Sequence, residues 1–153
     1  NRTFGFQKWA DYNANLFNEI HDSLEKAIIE TETKIYCQDI DEESIHYIHE
    51  NAERAGINHL INIKLKDYFD SSKLGETGIV FLNPPYGERL EVEEINEFYK
   101  AIGDQLKKQY TNCEAWIISS NLDALKYFGL KPTNRYQMFN GGLECKLHHY
   151  KLY

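Results

Sequence analysis

Four consecutive residues, Asn83-Pro84-Pro85-Tyr86, have types and an order that suit chemistry on the exocyclic amine of a nucleobase. Such an amine is a poor nucleophile because its lone pair is delocalised into the ring. The side-chain carbonyl of Asn83 and the backbone carbonyl of Pro84 can accept both amine protons, which directs the lone pair toward an electrophile. The ring of Tyr86 offers a flat face for an extruded base. The alternative interpretation is an ordinary strand-to-loop turn that contains prolines.

The residues before this motif predict that it follows a buried strand. Ile79 to Leu82 are consecutive apolar residues, which is typical of a strand covered on both faces. Pro84 and Pro85 lack the N–H that a sheet ladder needs, so the strand must end at Asn83. Open α/β sheets bind their ligands at the carboxyl ends of strands. The motif therefore lies where a site is expected.

Two acids fall at the ends of the two preceding predicted strands. Asp39 is placed to accept hydrogen bonds from ribose hydroxyls. Asp67 can accept from an adenine amine, and Ile40 and Tyr68 would flank the adenine ring. Each acid also has a structural interpretation, since Asp39 could simply precede a helix and Asp67 could begin a turn. Together, ahead of the Asn83 motif, they indicate a cofactor that contains a nucleoside.

The frame around these residues alternates strands with helices. Strands are predicted over residues 34–38, 60–65, 79–82 and 113–119. Helices are predicted over residues 11–30, from an N-cap at Asp41 to a stop at Gly56, along the stripe from Ile95 to Leu106, and from Asn121 to Phe128. Asn140-Gly141-Gly142 indicates a terminal hairpin. This order predicts an α/β fold with a mainly parallel sheet, covered on both faces, and an antiparallel edge.

Composition limits the class of protein. The 153 residues, 42% of them apolar, fit one domain, residues 1–153. We expect no membrane association and a cytoplasmic location, because no segment resembles a membrane span or a signal peptide. Three scattered cysteines argue against a zinc site, and His46 and His49 lack a third ligand, so no metal is expected. A basic rim for RNA and a solvated face are both open interpretations of four cations, Lys126, Lys131, Arg135 and Lys146.

Taken together, these motifs resemble the S-adenosylmethionine-dependent methyltransferases that modify the guanine N2 amine of large-subunit ribosomal RNA. The resemblance is carried by residues 39–41 and 51–56, Asp67, and the run Asn83-Pro84-Pro85-Tyr86-Gly87-Glu88-Arg89-Leu90. It implies a Rossmann-like class I methyltransferase sheet. It also implies that Asp39 binds the cofactor ribose, Asp67 its adenine amine, and residues 83–86 the target base. Arg89 would meet a phosphate or shape the base pocket.

The chain also departs from this family. We find no glycine-rich strand-loop-helix, no first strand and no amino-terminal RNA-binding domain. We therefore expect the carboxyl-terminal part of a catalytic domain, inactive by itself. A net charge of −7 indicates that a missing domain supplies most of the affinity for ribosomal RNA, and a homodimer is one way to cover the exposed strand edges. A non-catalytic nucleic-acid or protein-binding module is the alternative, and guanine against adenine as the target base stays open.

Overall fold

Two sheets and three α-helices make up the fold in the computed structural model, which describes residues 3–86 and 91–153. The first sheet pairs two parallel strands, β1 (Ile35–Asp39) and β2 (Ile61–Leu65). The strands of the second sheet are β3 (Ile79–Leu82), β4 (Glu114–Ser119), β5 (Asn134–Asn140) and β6 (Leu143–Lys151). The helices are α1 (Ala14–Lys26), α2 (Glu42–Arg54) and α3 (Val92–Gln109), with 3-10 helices at Gly5–Lys8, Asn58–Leu60, Tyr68–Asp70 and Ala124–Phe128.

The second sheet has the order β3-β4-β6-β5, with β3 parallel to β4 and β6 antiparallel to both of its neighbours. The predicted parallel strands and the terminal hairpin are therefore confirmed. Within the described residues the strands nevertheless form two sheets, because β1 pairs only with β2 and β3 pairs only with β4. Asp39 is the last residue of β1 and Asn83 directly follows β3, so both lie at strand carboxyl ends as expected.

The prediction that β3 is buried on both faces is wrong in the described structure. Val80 and Leu82 pack against the core, whereas Ile79 is 62% exposed and Phe81 is 71% exposed. The reason is that α3 and the 3-10 helix Ala124–Phe128 cover a single face of the second sheet. The apolar residues of β3 thus alternate in environment although they are consecutive in sequence.

Helix α3 builds the core that supports the second sheet. Its apolar residues recur at helical spacing, so Ile95, Tyr99, Ile102 and Leu106 share the face that packs on the sheet. Acids at its start and lysines at its end suit the helix dipole. At Gly103 the chain at Phe128 approaches so closely that a Cβ would overlap its backbone. The absence of a side chain at this position therefore sets how closely α3 and Ala124–Phe128 can pack.

The ends of α2 agree with the prediction from sequence. The carboxylate of Asp41 accepts a hydrogen bond from Ser44 N at 2.8 Å, and Gly56 ends the helix with a φ of 70°. Helix α1 forms with Asn13 as its N-cap, but its apolar stripe is exposed in the described part of the chain. Among the described residues, none of the helices has the length and apolar character needed to cross a membrane.

The segment that follows β2 joins the first sheet to the helical layer of the second. From α3, the amide of Gln105 donates to the carbonyl oxygens of Phe69 at 3.0 Å and Ser71 at 2.7 Å. From β1, the amide of Gln38 donates to Ser71 Oγ at 2.7 Å. These contacts fix the position of the Asp67 end of β2 relative to α3.

Candidate active site

The loop after β3 presents the Asn83 side chain to solvent. Asn83 is exposed, whereas Pro84 is buried and anchors the loop against the protein interior. The two prolines end the ladder because neither can donate to it, so the chain leaves the sheet directly after Leu82. The exposed amide lies where the sequence predicted an acceptor for a base amine, and it is not buried against the hydrophobic interior.

The hydroxyl of Tyr86 holds this amide in one orientation. Tyr86 Oη donates to Asn83 Oδ1 at 2.7 Å, and Cys145 Sγ lies 4.0 Å from the same hydroxyl. Partial burial raises the pKa of the Tyr86 phenol, so the hydroxyl keeps its proton and remains a donor at neutral pH. An amide oxygen has two lone pairs, so Asn83 Oδ1 can still accept a second hydrogen bond. Tyr86 thus has an orienting contact that sequence reasoning, which assigned it only to stacking, did not predict.

A chain of hydrogen bonds beneath the loop fixes its backbone. Tyr99 Oη donates to the carbonyl oxygen of Pro85 at 3.2 Å and lies 2.7 Å from Ser119 Oγ. Ser119 Oγ in turn accepts from the backbone N–H of Asn121 at 3.0 Å. One consistent assignment of protons runs from Asn121 N–H to Ser119, from the Ser119 hydroxyl to Tyr99, and from Tyr99 to Pro85. Burial raises the pKa of Tyr99, which preserves the donor.

Asn121 connects the loop to the carboxyl end of β4 in a second way. Its Nδ2 donates to the carbonyl oxygen of Tyr86 at 2.9 Å, while its Oδ1 accepts from Ala124 N at 2.9 Å. The sequence predicted only the second contact, as a helix cap. Sequence reasoning missed Tyr99, Ser119 and Cys145 as supports of the loop. For Tyr99, the sequence does contain a signal: a residue with a hydroxyl on the apolar face of α3 needs a buried hydrogen-bond partner.

The two predicted acids lie at the ends of neighbouring strands, as expected. Asp39 ends β1 and Asp67 follows β2, and Lys66 N donates to the Asp39 carbonyl oxygen at 2.8 Å across the strand pair. One carboxylate oxygen of each acid stabilises a turn: Asp39 Oδ1 accepts from Asp41 N, and Asp67 Oδ1 accepts from Phe69 N, both at 2.9 Å. The structural roles considered from sequence are therefore real. In the described residues the second oxygen of each carboxylate has no hydrogen bond, so both acids can accept from a ligand.

The two residues expected to flank an adenine ring differ in position. Ile40 is 71% exposed beside Asp39, which leaves its side chain available to a flat ring. Tyr68 instead faces the interior, where its ring stacks on Tyr110 with centroids 6.2 Å apart and its hydroxyl lies 3.5 Å from the Ile102 carbonyl oxygen. The Asp67 cap turns the chain into a 3-10 helix and directs Tyr68 toward α3. The expected contact between the Tyr68 side chain and an adenine is not supported by this placement.

The remaining predicted residue, Arg89, falls outside the described residues. The two acids and the Asn83 loop belong to different sheets, and no described hydrogen bond joins them. The two carboxylates therefore lie at the end of the first sheet, and the exposed Asn83 amide lies at the end of the second. An open α/β fold whose parallel strands end at accessible polar residues is the architecture of the class I methyltransferases.

Comparison with known proteins gives the family. Residues 2–149 match the family described as UPF0020: RMKL-like, methyltransferase domain, and the chain belongs to this family. The predicted family and the predicted fold class are thereby confirmed. S-adenosylmethionine is the cofactor of this methyltransferase class, so that prediction is also confirmed at the level of the family.

Individual relatives agree with the family. The ribosomal RNA large subunit methyltransferase K/L of Shewanella baltica (strain OS185) is 32% identical over 155 residues, which cover 98% of this chain and 22% of that protein. Among solved structures, a possible methylase from Clostridium difficile 630 is 33% identical with a TM-score of 0.83, over 100% of this chain and 41% of the other. The SMU.472 protein, solved in complex with SAH, has a TM-score of 0.82 at 22% identity, over 100% of this chain and 41% of the other. The chain thus spans less than half the length of each of these relatives.

Proposed function

We propose that this chain is part of an enzyme that transfers a methyl group from S-adenosylmethionine to an exocyclic base amine of RNA, with guanine N2 of large-subunit ribosomal RNA as the target. The observation that carries the proposal is the exposed Asn83 amide, fixed by Tyr86 at the end of β3. Support for RNA comes from the ribosomal RNA methyltransferase of Shewanella baltica, which aligns over 98% of this chain.

The residues of the chain fit the nucleoside part of this cofactor. Ribose hydroxyls and an adenine amine are hydrogen-bond donors, and the ends of β1 and β2 offer carboxylate acceptors in Asp39 and Asp67. The exposed Ile40 adds an apolar surface for the adenine ring. We assign Asp39 to the ribose, Asp67 to the adenine amine and Ile40 to the ring. When bound, the cofactor supplies a methyl group that carries the electrophilic character of a sulfonium.

The Asn83 loop would position the base and stabilise charge on its amine. Asn83 Oδ1 accepts one amine proton through its second lone pair, and the Pro84 carbonyl oxygen accepts the other. Both acceptors favour the positive charge that the nitrogen gains during transfer, and both are fixed beforehand by Tyr86 and the buried proline, so little reorganisation is needed. Part of the Tyr86 ring remains available to stack against the base. No general base is required, because the proton can leave to water after transfer.

Replacement of Asn83 by Ala in the full-length protein tests this assignment. We expect methylation of an unmodified large-subunit ribosomal RNA transcript to fall by about 10² to 10³ in kcat, the usual effect of removing one preorganised group that stabilises a transition state. The affinity for S-adenosylhomocysteine, measured by calorimetry, should change less than about twofold, because a lost base contact does not alter the nucleoside contacts.

A matched control is Asn62→Ala, which removes an exposed amide near the amino end of β2, opposite to the carboxyl end that leads to Asp67. This variant should keep its methylation rate. Retained activity in Asn83→Ala would refute the role of the loop, whereas the absence of any cofactor heat in the wild-type protein would favour a non-catalytic binding module. Mass spectrometry of the methylated nucleoside distinguishes guanine N2 from an adenine product.

A further inference from the structure

A cleft of about 700 Å³ lies between the chain that follows β4 and the β5–β6 hairpin. Its volume is within the usual range of ligand sites. The lining residues come from residues 122–132 on one side and from the two hairpin strands on the other. Five of the lining residues are charged, namely Asp123, Lys126, Lys131, Arg135 and Lys146. Two others, His148 and Tyr150, are buried rings.

Positive charge accumulates in this cleft although the chain as a whole carries a net charge of −7. Lys126 pairs with Asp123 at 2.7 Å, which neutralises both. For Lys131, Arg135 and Lys146 no salt bridge is found among residues 3–86 and 91–153. Three cations that face one cleft make it a favourable place for an anion.

Strand register places two of these cations beside a buried histidine. Arg135 pairs with His148 across the hairpin, and Lys146 lies two residues from His148, so all three project from one face of the sheet. His148 is only 7% exposed, and among the described residues its Nε2 is a buried side-chain nitrogen with no hydrogen-bond partner. A buried polar atom in this state is costly, and a bound water, an ion or a ligand is what normally satisfies it.

The His148 ring adds no charge of its own to the cleft. Burial raises the pKa of Tyr150 to about 12, so its hydroxyl keeps its proton and can donate to His148 Nδ1, which lies 3.1 Å away. Burial, together with Arg135 and Lys146, lowers the pKa of His148, so the ring is neutral. When Nδ1 accepts from Tyr150, the single ring proton lies on Nε2, and in the other tautomer Nδ1 donates to Tyr150 and Nε2 carries the lone pair. The cleft thus presents unpaired cations beside a neutral imidazole, and Lys and Arg side chains of this kind recognise phosphate oxygens.

The cleft also adjoins the candidate active site. Asn121 holds the carbonyl oxygen of Tyr86, and the next residue, Leu122, already lines the cleft. On the sheet, Ser119 of the loop support pairs with Lys146 of the cleft. A nucleotide whose base reaches Tyr86 would therefore have its neighbouring backbone within this part of the surface.

We propose that this cleft binds a phosphodiester group of the RNA substrate that flanks the extruded nucleotide, through Lys131, Arg135 and Lys146. The inference depends on the proposed function for the identity of the RNA, but it concerns a separate surface. It assigns to this chain a share of the RNA affinity that its overall charge does not suggest.

The test is a triple variant, Lys131→Gln, Arg135→Gln and Lys146→Gln, in the full-length protein. The probe is a fluorescein-labelled single-stranded RNA of mixed sequence, titrated at several salt concentrations. Each lost phosphate contact lowers the salt slope by about 0.7 for single strands, so three lost contacts lower it by about 2 and weaken binding about 100-fold at 0.1 M salt. When methylation is measured over a range of transcript concentrations, the KM of the triple variant for RNA should rise, while its kcat stays near the wild-type value.

The matched control replaces Lys34, Lys64 and Lys108 by Gln. These lysines are exposed, and none has a salt bridge within the described part of the chain. The control changes net charge equally and should shift the salt slope by well under 1. A third variant, Lys131→Arg with Lys146→Arg, should retain the wild-type slope because it keeps the cations.

The outcomes separate this inference from the proposed function. If the cleft variant and the lysine control bind RNA alike, the cleft proposal is overturned, and methylation by the wild-type protein would leave the proposed function intact. If the salt slopes of the wild-type protein and the triple variant differ as predicted but the wild-type protein methylates nothing, the cleft proposal stands and the proposed function fails. Binding of an acidic peptide or of inorganic phosphate alone, with no change in RNA binding, also overturns the cleft proposal.

Discussion

Removal of a single oxygen at Tyr99 tests whether the buried hydrogen-bond chain holds the Asn83 loop. Tyr99 is 0% exposed, and its hydroxyl contacts both the Pro85 carbonyl oxygen and Ser119 Oγ. Tyr99→Phe keeps the ring in the core and removes only the hydroxyl, so both partners lose a hydrogen bond. A buried polar group left unsatisfied costs about 1 to 3 kcal/mol, and we expect the free energy of unfolding to fall by that amount.

The comparison variant is Tyr110→Phe at the end of the same helix. Tyr110 is also buried, but no hydrogen bond of its hydroxyl is found in the described residues, so the same chemical change should cost less than about 0.5 kcal/mol. Urea unfolding monitored by circular dichroism measures both values. A double-mutant cycle with Ser119→Ala should give a coupling of about 0.5 kcal/mol or more, because the two side chains share one chain of hydrogen bonds.

The same variant has an effect on activity that a purely structural role would not produce. If the Tyr99 hydroxyl positions the loop, Tyr99→Phe in the full-length protein should lower kcat for RNA methylation while the affinity for S-adenosylhomocysteine is unchanged. Tyr110→Phe should leave both unchanged. Equal losses of stability in the two variants, or a full kcat in Tyr99→Phe, would show that the hydrogen-bond chain does not control the loop.

Two further predictions concern the frame of the site. Gly103→Ala should destabilise the fold by about 1 to 3 kcal/mol, since the added Cβ would overlap the backbone of Phe128, whereas Gly78→Ala meets no atom within 4 Å and should be nearly neutral in the same urea assay. Asp41→Asn should be less stable than wild type at pH 7, because hydrogen bonds from Ser44 hold the pKa of the Asp41 carboxyl below its ordinary value of 3.8. A carboxyl group whose pKa is lower in the folded state than in the unfolded state stabilises the fold at pH values above the unfolded-state pKa. This stabilisation is lost as the pH falls, so the difference in stability between wild type and Asp41→Asn should shrink below about pH 4. An unchanged difference at pH 3, or a neutral Gly103→Ala, would contradict these expectations.

The elements of the fold could be predicted because their signals are local. The cap at Asp41, the left-handed Gly56 and the hairpin turn at Asn140-Gly141-Gly142 are each set by a few neighbouring residues. The burial of β3 could not be predicted in the same way. Its four apolar residues are compatible with a strand covered on one face or on two, and only the position of α3 decides which faces are covered.

The candidate site was predictable in its exposed half and not in its buried half. The positions of Asn83, Asp39 and Asp67 at strand ends could be predicted because each comes at the end of a run that indicates a strand in the sequence. Tyr99 and Ser119 meet over a separation of 20 residues, and neither side chain departs from the pattern of a buried helix stripe or a strand end. The inward position of Tyr68 could not be predicted for a related reason. The Asp67 cap can be read from neighbouring residues, but the direction in which it turns Tyr68, toward α3, depends on the tertiary structure.

The segment that begins at Asn121 lies between the two surfaces for which binding is proposed, the Asn83 loop and the basic cleft. Asn121 fixes the carbonyl oxygen of Tyr86 on one side, and the chain that it caps forms a wall of the basic cleft on the other. In the proposed RNA complex, this segment would link the Asn83 loop to the Lys131 side of the cleft, which would keep a constant distance between the extruded base and its flanking phosphate. Distance control of this kind needs a rigid connection, and the two hydrogen bonds of the Asn121 side chain supply it at the end of β4.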